Sequence, residues 1–459
     1  MGRRLTYTTV AQDEEGRCAM RLGWKDLGTA RADRAHGKTV ELAGFALTLL
    51  PTDKADCFLL MAEPGCCAAC VPGNRAAVVE VFAKEPITLG GKLRLGGTWH
   101  VSDDADGWRY QLRSAAVKQG LSRRTLLAAS PLVCLPVPAF AQTDGTAVDI
   151  HSHAGNLGRM AFGRGSPASV AEPMRKGGMA VICLSVVSDA PIIQLYGNRL
   201  RPSREPQVGE LYGHTRRGFQ AVHEIASDQR MPVVRTAAEL RAATAANPSI
   251  IVAAEGADFL EGKIERLDEA YDRWGLRHLQ LTHYRVNELG DIQTEESVHG
   301  GLTAFGAEVV RRCNQRGIVV DVAHGTFDLV KAAARATTKP LVLSHSSLTE
   351  RPQPWTRLIT PDHARAVAAT GGVIGIWPIK FFFPDYPAYA RGFARMAKVV
   401  GVDHVGLGTD LLGLVGSSTI VNYDELPQLA GALREEFSAE ETTKILGGNY
   451  RRVFEASLA

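Results

Sequence analysis

The chain of 459 residues is 45% hydrophobic and 22% charged, enough apolar material for a large core, which excludes a disordered or collagen-like polymer. Its formal net charge of +3 is nearly balanced and no basic stripe interleaved with aromatics stands out, so nucleic acid is excluded as the main partner. Eight cysteines in so long a chain do not make a disulfide scaffold, which leaves small-molecule chemistry and, at about 100 to 200 residues per domain, two domains as the expectation.

Residues 1–118 read as a small β-rich domain, OB-like or a sandwich. Short β-prone runs such as Thr39–Leu42, Phe45–Leu49, Cys57–Met61, Val78–Phe82, Lys92–Leu95 and Trp108–Leu112 are separated by turn signals, among them Gly90-Gly91 and Gly96-Gly97. The runs "GKTVELAGFALTL" and "CFLLMAEPGCCAAC" resemble a group of small exported bacterial β-domains. Cys66, Cys67 and Cys70 could offer thiolates to a soft metal, but no second C-x-x-C pair follows. A turn with buried or disulfide-forming thiols is the expectation there.

Residues 119–146 form a linker of unusual composition. Arg123-Arg124 is followed by an uncharged stretch from Thr125 to Thr143 that ends in Ala139-Phe140-Ala141-Gln142, the small-x-small pattern read by a signal peptidase. Pro131, Pro136 and Pro138 interrupt the apolar part, so no stable membrane span is expected. The order of arginine pair, apolar run and cleavage-like site resembles an internal twin-arginine export signal more than a plain Pro-rich linker. The expected location is the bacterial periplasm if that signal is used, and the cytoplasm otherwise.

From Ala147 to Ala459 short β-branched runs alternate with helical segments such as Leu302–Arg316 and Tyr389–Val400, which end at Gly317 and Gly401. Eight strands are expected, at 147–153, 179–187, 251–255, 278–283, 318–324, 341–346, 372–377 and 404–410, with a short run at Pro232–Arg235 left over. Eight β/α units in about 310 residues fit an α/β fold, a (β/α)8 TIM-like barrel of the metal-dependent hydrolase kind.

The polar residues fall at one end of these strands. His151, His153, Glu255, His283, His324, His345 and Asp410 each sit at a strand's C-terminal end, where a barrel gathers its active site. Burying so many titratable groups without a metal or catalytic task would be costly. Imidazoles and carboxylates are zinc ligands, and a carboxylate can bridge two ions about 3.5 to 4 Å apart. His151 and His153, two residues apart, share a strand face and can reach one ion. Glu255 is the natural bridge, His324 and His345 hold the second ion, and a water between the ions becomes the hydroxide that attacks a carbonyl. Asp410 is placed to take that water's proton and pass it to a leaving amine. His278, His299 and His363 read as structural or solvated, and His214 and His223 fall in a helical stretch. Asp321 is either a ligand-orienting acceptor or a strand residue, and Trp377 either lines the pocket or packs.

Glu255-Gly256, the 28 residues from Glu255 to His283 in "LQLTHY", then "GLTAFG", "GIVVDVAH", "PLVLSHSS", "DHVGLGTD" and "GGNYRRVF" resemble, in order and spacing, the renal (membrane) dipeptidase family over roughly Val148 to Phe454. The resemblance implies a dipeptidase with two Zn2+ ions held by His151, Glu255, His324 and His345. It further implies His283 as a contact to the tetrahedral intermediate, Asp410 as the proton-transfer residue, and an arginine for the substrate carboxylate. Arg357 is the better match for that arginine and Arg351 the weaker. Two departures stand out: His153 where the family usually has Asp, and Leu412 where a second acid is common. They leave open an amidohydrolase acting on another small amide, an N-acyl amino acid or a lactone, and, from a different class, a non-catalytic binding protein. The expected partner is a small dipeptide, and pairing into a homodimer stays open.

Overall fold

The computed structural model describes residues 20–47, 54–62, 78–89, 92–102, 109–118, 145–155, 157, 168–196, 199–349, 355–380, 382–413 and 418–459. Cys66, Cys67 and Cys70, the arginine-led segment up to Asp144, and Arg351 lie outside the described residues. The chain divides into two compact units, one drawn largely from residues before Ala139 and the other from Ala139–Tyr196, Leu200–Gly413 and Ser418–Ala459. Among the described residues no helix is long and apolar enough to cross a membrane.

The first unit contains β1 (Met20–Arg21), β2 (Thr39–Leu47), β3 (Lys54–Met61), β4 (Val78–Thr88), β5 (Lys92–Val101) and β6 (Tyr110–Val117). β2 pairs with β3, β3 with β4, β4 with β6, β6 with β5, and β5 again with β2, so five strands close into a ring. This strand order, with β4 and β6 parallel, is that of a five-stranded OB-type barrel. Trp99 and Tyr110 stack in its core with ring centroids 5.2 Å apart. Their polar ends are matched, because Trp99 Nε1 donates to Ala32 O at 3.0 Å and the Tyr110 hydroxyl to Asp33 Oδ1 at 2.9 Å.

In the second unit β7 (Ala147–Ser152), β8 (Met179–Val187), β11 (Ser249–Glu255), β12 (Leu276–Gln280), β13 (Val319–Asp321), β14 (Leu341–Ser346), β15 (Val373–Ile376) and β16 (Val405–Leu407) follow one another in a single parallel sheet, while β9 (Ile193–Tyr196) and β10 (Arg199–Pro202) form a separate pair. The sheet closes where Asp410 N donates to His151 O and His153 N to Leu411 O, both at 2.9 Å. This is the expected TIM-like barrel, with all eight expected strands present. The leftover run beside it meets β11 through a single parallel bridge, Val233 to Ile250.

Alternation along these strands sorts side chains into two layers. Val148, Ile150, Val181, Cys183, Ile251, Ala253, Val319, Val342 and Val373 fill the barrel interior with Tyr450, Val453 and Phe454 of the C-terminal helix Asn449–Leu458. Ile182, Leu184, Ile250, Val252, Val320, Leu341, Leu343 and Ile374 face the helices outside. Each such fully buried side chain contributes about 1.5 to 3 kcal/mol. Thr303 and Thr326 cap the helices Ala304–Arg316 and Phe327–Ala336 by accepting from Gly306 N and Leu329 N, and Gly275 and Gly317 end theirs in the left-handed conformation.

Candidate metal centre and active site

The chain leaves regular strand geometry where the polar residues begin. Strands expected to reach residues 283, 324 and 410 stop at 280, 321 and 407. His324 and Asp410 adopt left-handed backbone (φ 68° and 49°), a conformation that a non-glycine residue adopts at a cost of about 1 to 3 kcal/mol. β7 and β14 each carry a register irregularity, between Asp149 and Ser152 and between Leu343 and Ser346. Strict alternation from the interior residues Ile150 and Val342 would send His151 and His345 out toward the helices. The irregularities turn both inward, the usual service of a bulge beside an active site. Gly256 follows Glu255 with φ 83°, and a Cβ there would lie 2.7 Å from Asp258 Oδ2 and 2.8 Å from Ser188 Oγ.

These devices bring the seven residues singled out in the sequence to one place, all buried. Glu255 is central. Its Oε1 lies 3.4 Å from His151 Nε2, 3.3 Å from His324 Nε2, 3.6 Å from His345 Nε2 and 3.4 Å from His283 Nε2, and its Oε2 lies 3.2 Å from His153 Nε2. His151 and His153 face each other Nε2 to Nε2 at 3.2 Å, and so do His324 and His345. Asp410 Oδ1 is 3.2 Å from His153 Nε2. Two groups of potential ligands result, His151–His153–Glu255 and Glu255–His324–His345, each with its ligand atoms within 4.8 Å of one another. Arg357 joins them, its Nη2 3.0 Å from His345 Nε2 and its Nη1 donating to Gln293 Oε1 at 3.1 Å.

The donor set fits cations. His153 Nδ1 faces Ser185 O at 2.9 Å and His324 Nδ1 faces His283 O at 3.0 Å. A carbonyl only accepts, so both Nδ1 atoms carry hydrogen and a neutral ring presents an Nε2 lone pair to the centre. Burial alone would raise the Glu255 carboxyl, but the imidazoles of His283, His151 and His153 hold it well below the usual carboxylate range. Burial works against a charge on His153, yet Asp410 and Glu255 lift it to about 10, so this half of the site attracts positive charge. Burial pushes His324 and His345 well below the usual imidazole value, with Arg357 adding to this for His324, and His151 and Arg357 for His345. Those two rings are therefore neutral, as metal ligands must be.

Several partners give no signal of a site role in the sequence. Asp189, fully buried beyond the end of β8, holds His283 Nδ1 at 2.6 Å through Oδ1 and accepts from Tyr284 N at 3.0 Å through Oδ2. Ser344 and Ser185 stand behind the imidazoles, and Gln293 steadies Arg357. Trp377, just past β15, is buried with its ring centroid 5.8 Å from that of His345 and 5.6 Å from the Arg357 guanidinium. Three other histidines serve the scaffold. His278 lies within β12, where it meets Tyr450 OH at 2.8 Å and Asp321 Oδ2 at 3.2 Å. His363 pairs with Thr360 at a helix start, and His223 Nε2 bonds Trp274 O at 2.9 Å.

The family model for membrane dipeptidase (peptidase family M19) matches residues 171–458, which leaves the His151-Ser152-His153 strand just ahead of the matched span. A dipeptidase of Aspergillus oryzae is 29% identical over 197 residues, covering 40% of this chain and 46% of its own. One of Claviceps purpurea is 28% identical over 248 residues, covering 51% and 57%. The chain thus spans about half the length of the curated relatives it matches. Among solved structures, a dipeptidase described as a family M19 metallopeptidase superposes with a TM-score of 0.58 at 23% identity, covering 68% of this chain and 98% of its own. A metallopeptidase of Rhodobacter sphaeroides, liganded with a phosphinate mimic of the dipeptide L-Ala-D-Ala, gives 0.57 at 22%, covering 68% and 99%. The chain belongs to the membrane dipeptidase family of metallopeptidases, peptidase family M19.

Proposed function

We propose that the chain is a zinc-dependent dipeptidase, with His151, His153 and Glu255 holding one ion, Glu255, His324 and His345 the other, and Glu255 bridging them. The observation that carries this is one buried carboxylate within 3.2 to 3.6 Å of four Nε2 atoms that belong to two imidazole pairs. When bound, the two ions polarise the scissile carbonyl and lower the pKa of an attacking water toward about 7.

The chain's own residues would do the rest. Arg357, at the edge of the second triad, takes the substrate's terminal carboxylate, for which its planar fork is suited. The Nε2 edge of His283, held by Asp189, is set beside the carbonyl oxygen, where charge develops. Water adds to the carbonyl carbon, Asp410 takes its proton, the C–N bond breaks, and the departing amine receives that proton. Dipeptides with a C-terminal D-residue belong in the substrate class, given the L-Ala-D-Ala mimic bound by the Rhodobacter relative. Export through the segment that ends at Gln142 is part of the proposal, and N-terminal sequencing of the mature chain tests it.

The experiment is a panel of dipeptides, C-terminal D-residues included, offered to zinc-loaded protein beside an Asp410→Asn control. Hydrolysis by the wild type that the variant loses supports the reading. No turnover of any dipeptide, with cleavage of an N-acyl amino acid or lactone instead, replaces it.

A further inference from the structure

Each triad contains one imidazole with an anchor of its own and one without. His153 and His324 bond separate backbone carbonyls through Nδ1. Their companions, His151 and His345, converge on a single hydroxyl. Ser344 Oγ lies 2.9 Å from His345 Nδ1 and 3.4 Å from His151 Nδ1. Ser185 Oγ also stands 3.4 Å from His151 Nδ1 but has no such contact with His345. Ser344 is fully buried and its amide donates to Asp321 Oδ1 at 3.0 Å.

A serine hydroxyl has one hydrogen and two lone pairs. If His151 and His345 are to aim Nε2 lone pairs at cations, each Nδ1 must carry a hydrogen and find an acceptor. Ser344 can accept both with its two lone pairs, provided its own hydrogen points elsewhere. We propose that Ser344 is a positioning residue shared by both metal sites, fixing the tautomer of one imidazole in each triad, with its backbone amide held by Asp321. The inference rests on the two-ion reading above.

The fold holds this serine with care. The register irregularity between Leu343 and Ser346 lets consecutive residues, Ser344 and His345, both face the interior. Glycines occupy the neighbouring strands where any Cβ would collide with Ser344 O, at Gly375 on β15 and at Gly408 just past β16.

The test is zinc binding, independent of turnover. Chelator-stripped wild type, Ser344→Ala, Ser344→Thr and Ser185→Ala are titrated with Zn2+ against a chromophoric competitor. The wild type takes two ions. Ser344→Ala weakens both by about 10- to 100-fold, the usual effect of losing an outer-shell partner. Ser185→Ala weakens at most the ion at His151, and Ser344→Thr, which keeps the hydroxyl, binds as the wild type does. Weakening of one site only, or of neither, in Ser344→Ala overturns the inference, as does equal loss in Ser344→Thr. A wild-type chain that takes up no zinc overturns the two-ion reading and this inference with it; two ions of wild-type affinity in Ser344→Ala overturn the inference alone. If Ser344→Ala does not fold, cobalt-loaded wild type decides. Slowly exchanging imidazole N–H resonances from all four histidines support the shared anchor, and rapid exchange at His151 and His345 refutes it.

Discussion

Replacing Asp189 with Asn changes one atom in a fully buried residue and isolates what the carboxylate does for His283. Both carboxylate oxygens are engaged, Oδ1 with His283 Nδ1 at 2.6 Å and Oδ2 with Tyr284 N at 3.0 Å. An asparagine that keeps its oxygen for the Tyr284 amide turns its NH2 toward Nδ1. Two donors then face each other; burial opposes a charge on His283 but Asp189 and Glu255 favour it, and relief requires the ring to give up its Nδ1 hydrogen and keep only the one it offers from Nε2. What is lost is a charge-assisted hydrogen bond, about 1.5 to 3 kcal/mol. If that bond orients His283 in the transition state, kcat falls by about 10- to 150-fold at 1.4 kcal/mol per tenfold. KM should change little, because Asp189 lies behind His283 and away from the substrate. The assay is steady-state hydrolysis of the best dipeptide by zinc-loaded protein, with zinc content measured on the same sample. A kcat within about twofold of wild type, or a fall matched by lost zinc, would refute the reasoning.

Two further changes probe other parts of the site. Arg357→Lys exchanges a planar fork for a point charge and should raise KM about 10- to 150-fold, the worth of a hydrogen bond to a charged group, with less effect on kcat; an unchanged KM for free-carboxylate dipeptides would count against Arg357 as the carboxylate contact. Burial, with Asp189 nearby, pushes the Asp258 carboxyl up to about 7 from an ordinary 3.8. The folded chain therefore keeps a proton that the unfolded chain releases near 3.8, and the associated stability is lost as pH rises through about 7. Melting curves of chelator-treated protein should drop less between pH 5 and 8 in Asp258→Asn than in wild type, and parallel curves would contradict this.

The barrel was legible because its eight strands are short apolar runs, and the site because ligand-type residues sit where those runs stop. Periodicity alone places His151 and His345 wrongly. They reach the centre through irregularities in β7 and β14 that leave no mark in composition. The ends of β12, β13 and β16 were read too long for a related reason: the polar residues are held beyond the strands, two of them in left-handed backbone, and apolar patterning does not report that turn. Asp189 and Ser344 were invisible as site residues because their importance lies in what they hold. Asp321, read as either a ligand-orienting acceptor or a strand residue, reaches both His278 and Ser344.

Anomalous diffraction at the zinc edge, from crystals grown with zinc, tests the central claim most directly. Two peaks should share Glu255, one beside the His151 and His153 rings and the other beside those of His324 and His345. A single peak, or none at Glu255, would contradict it.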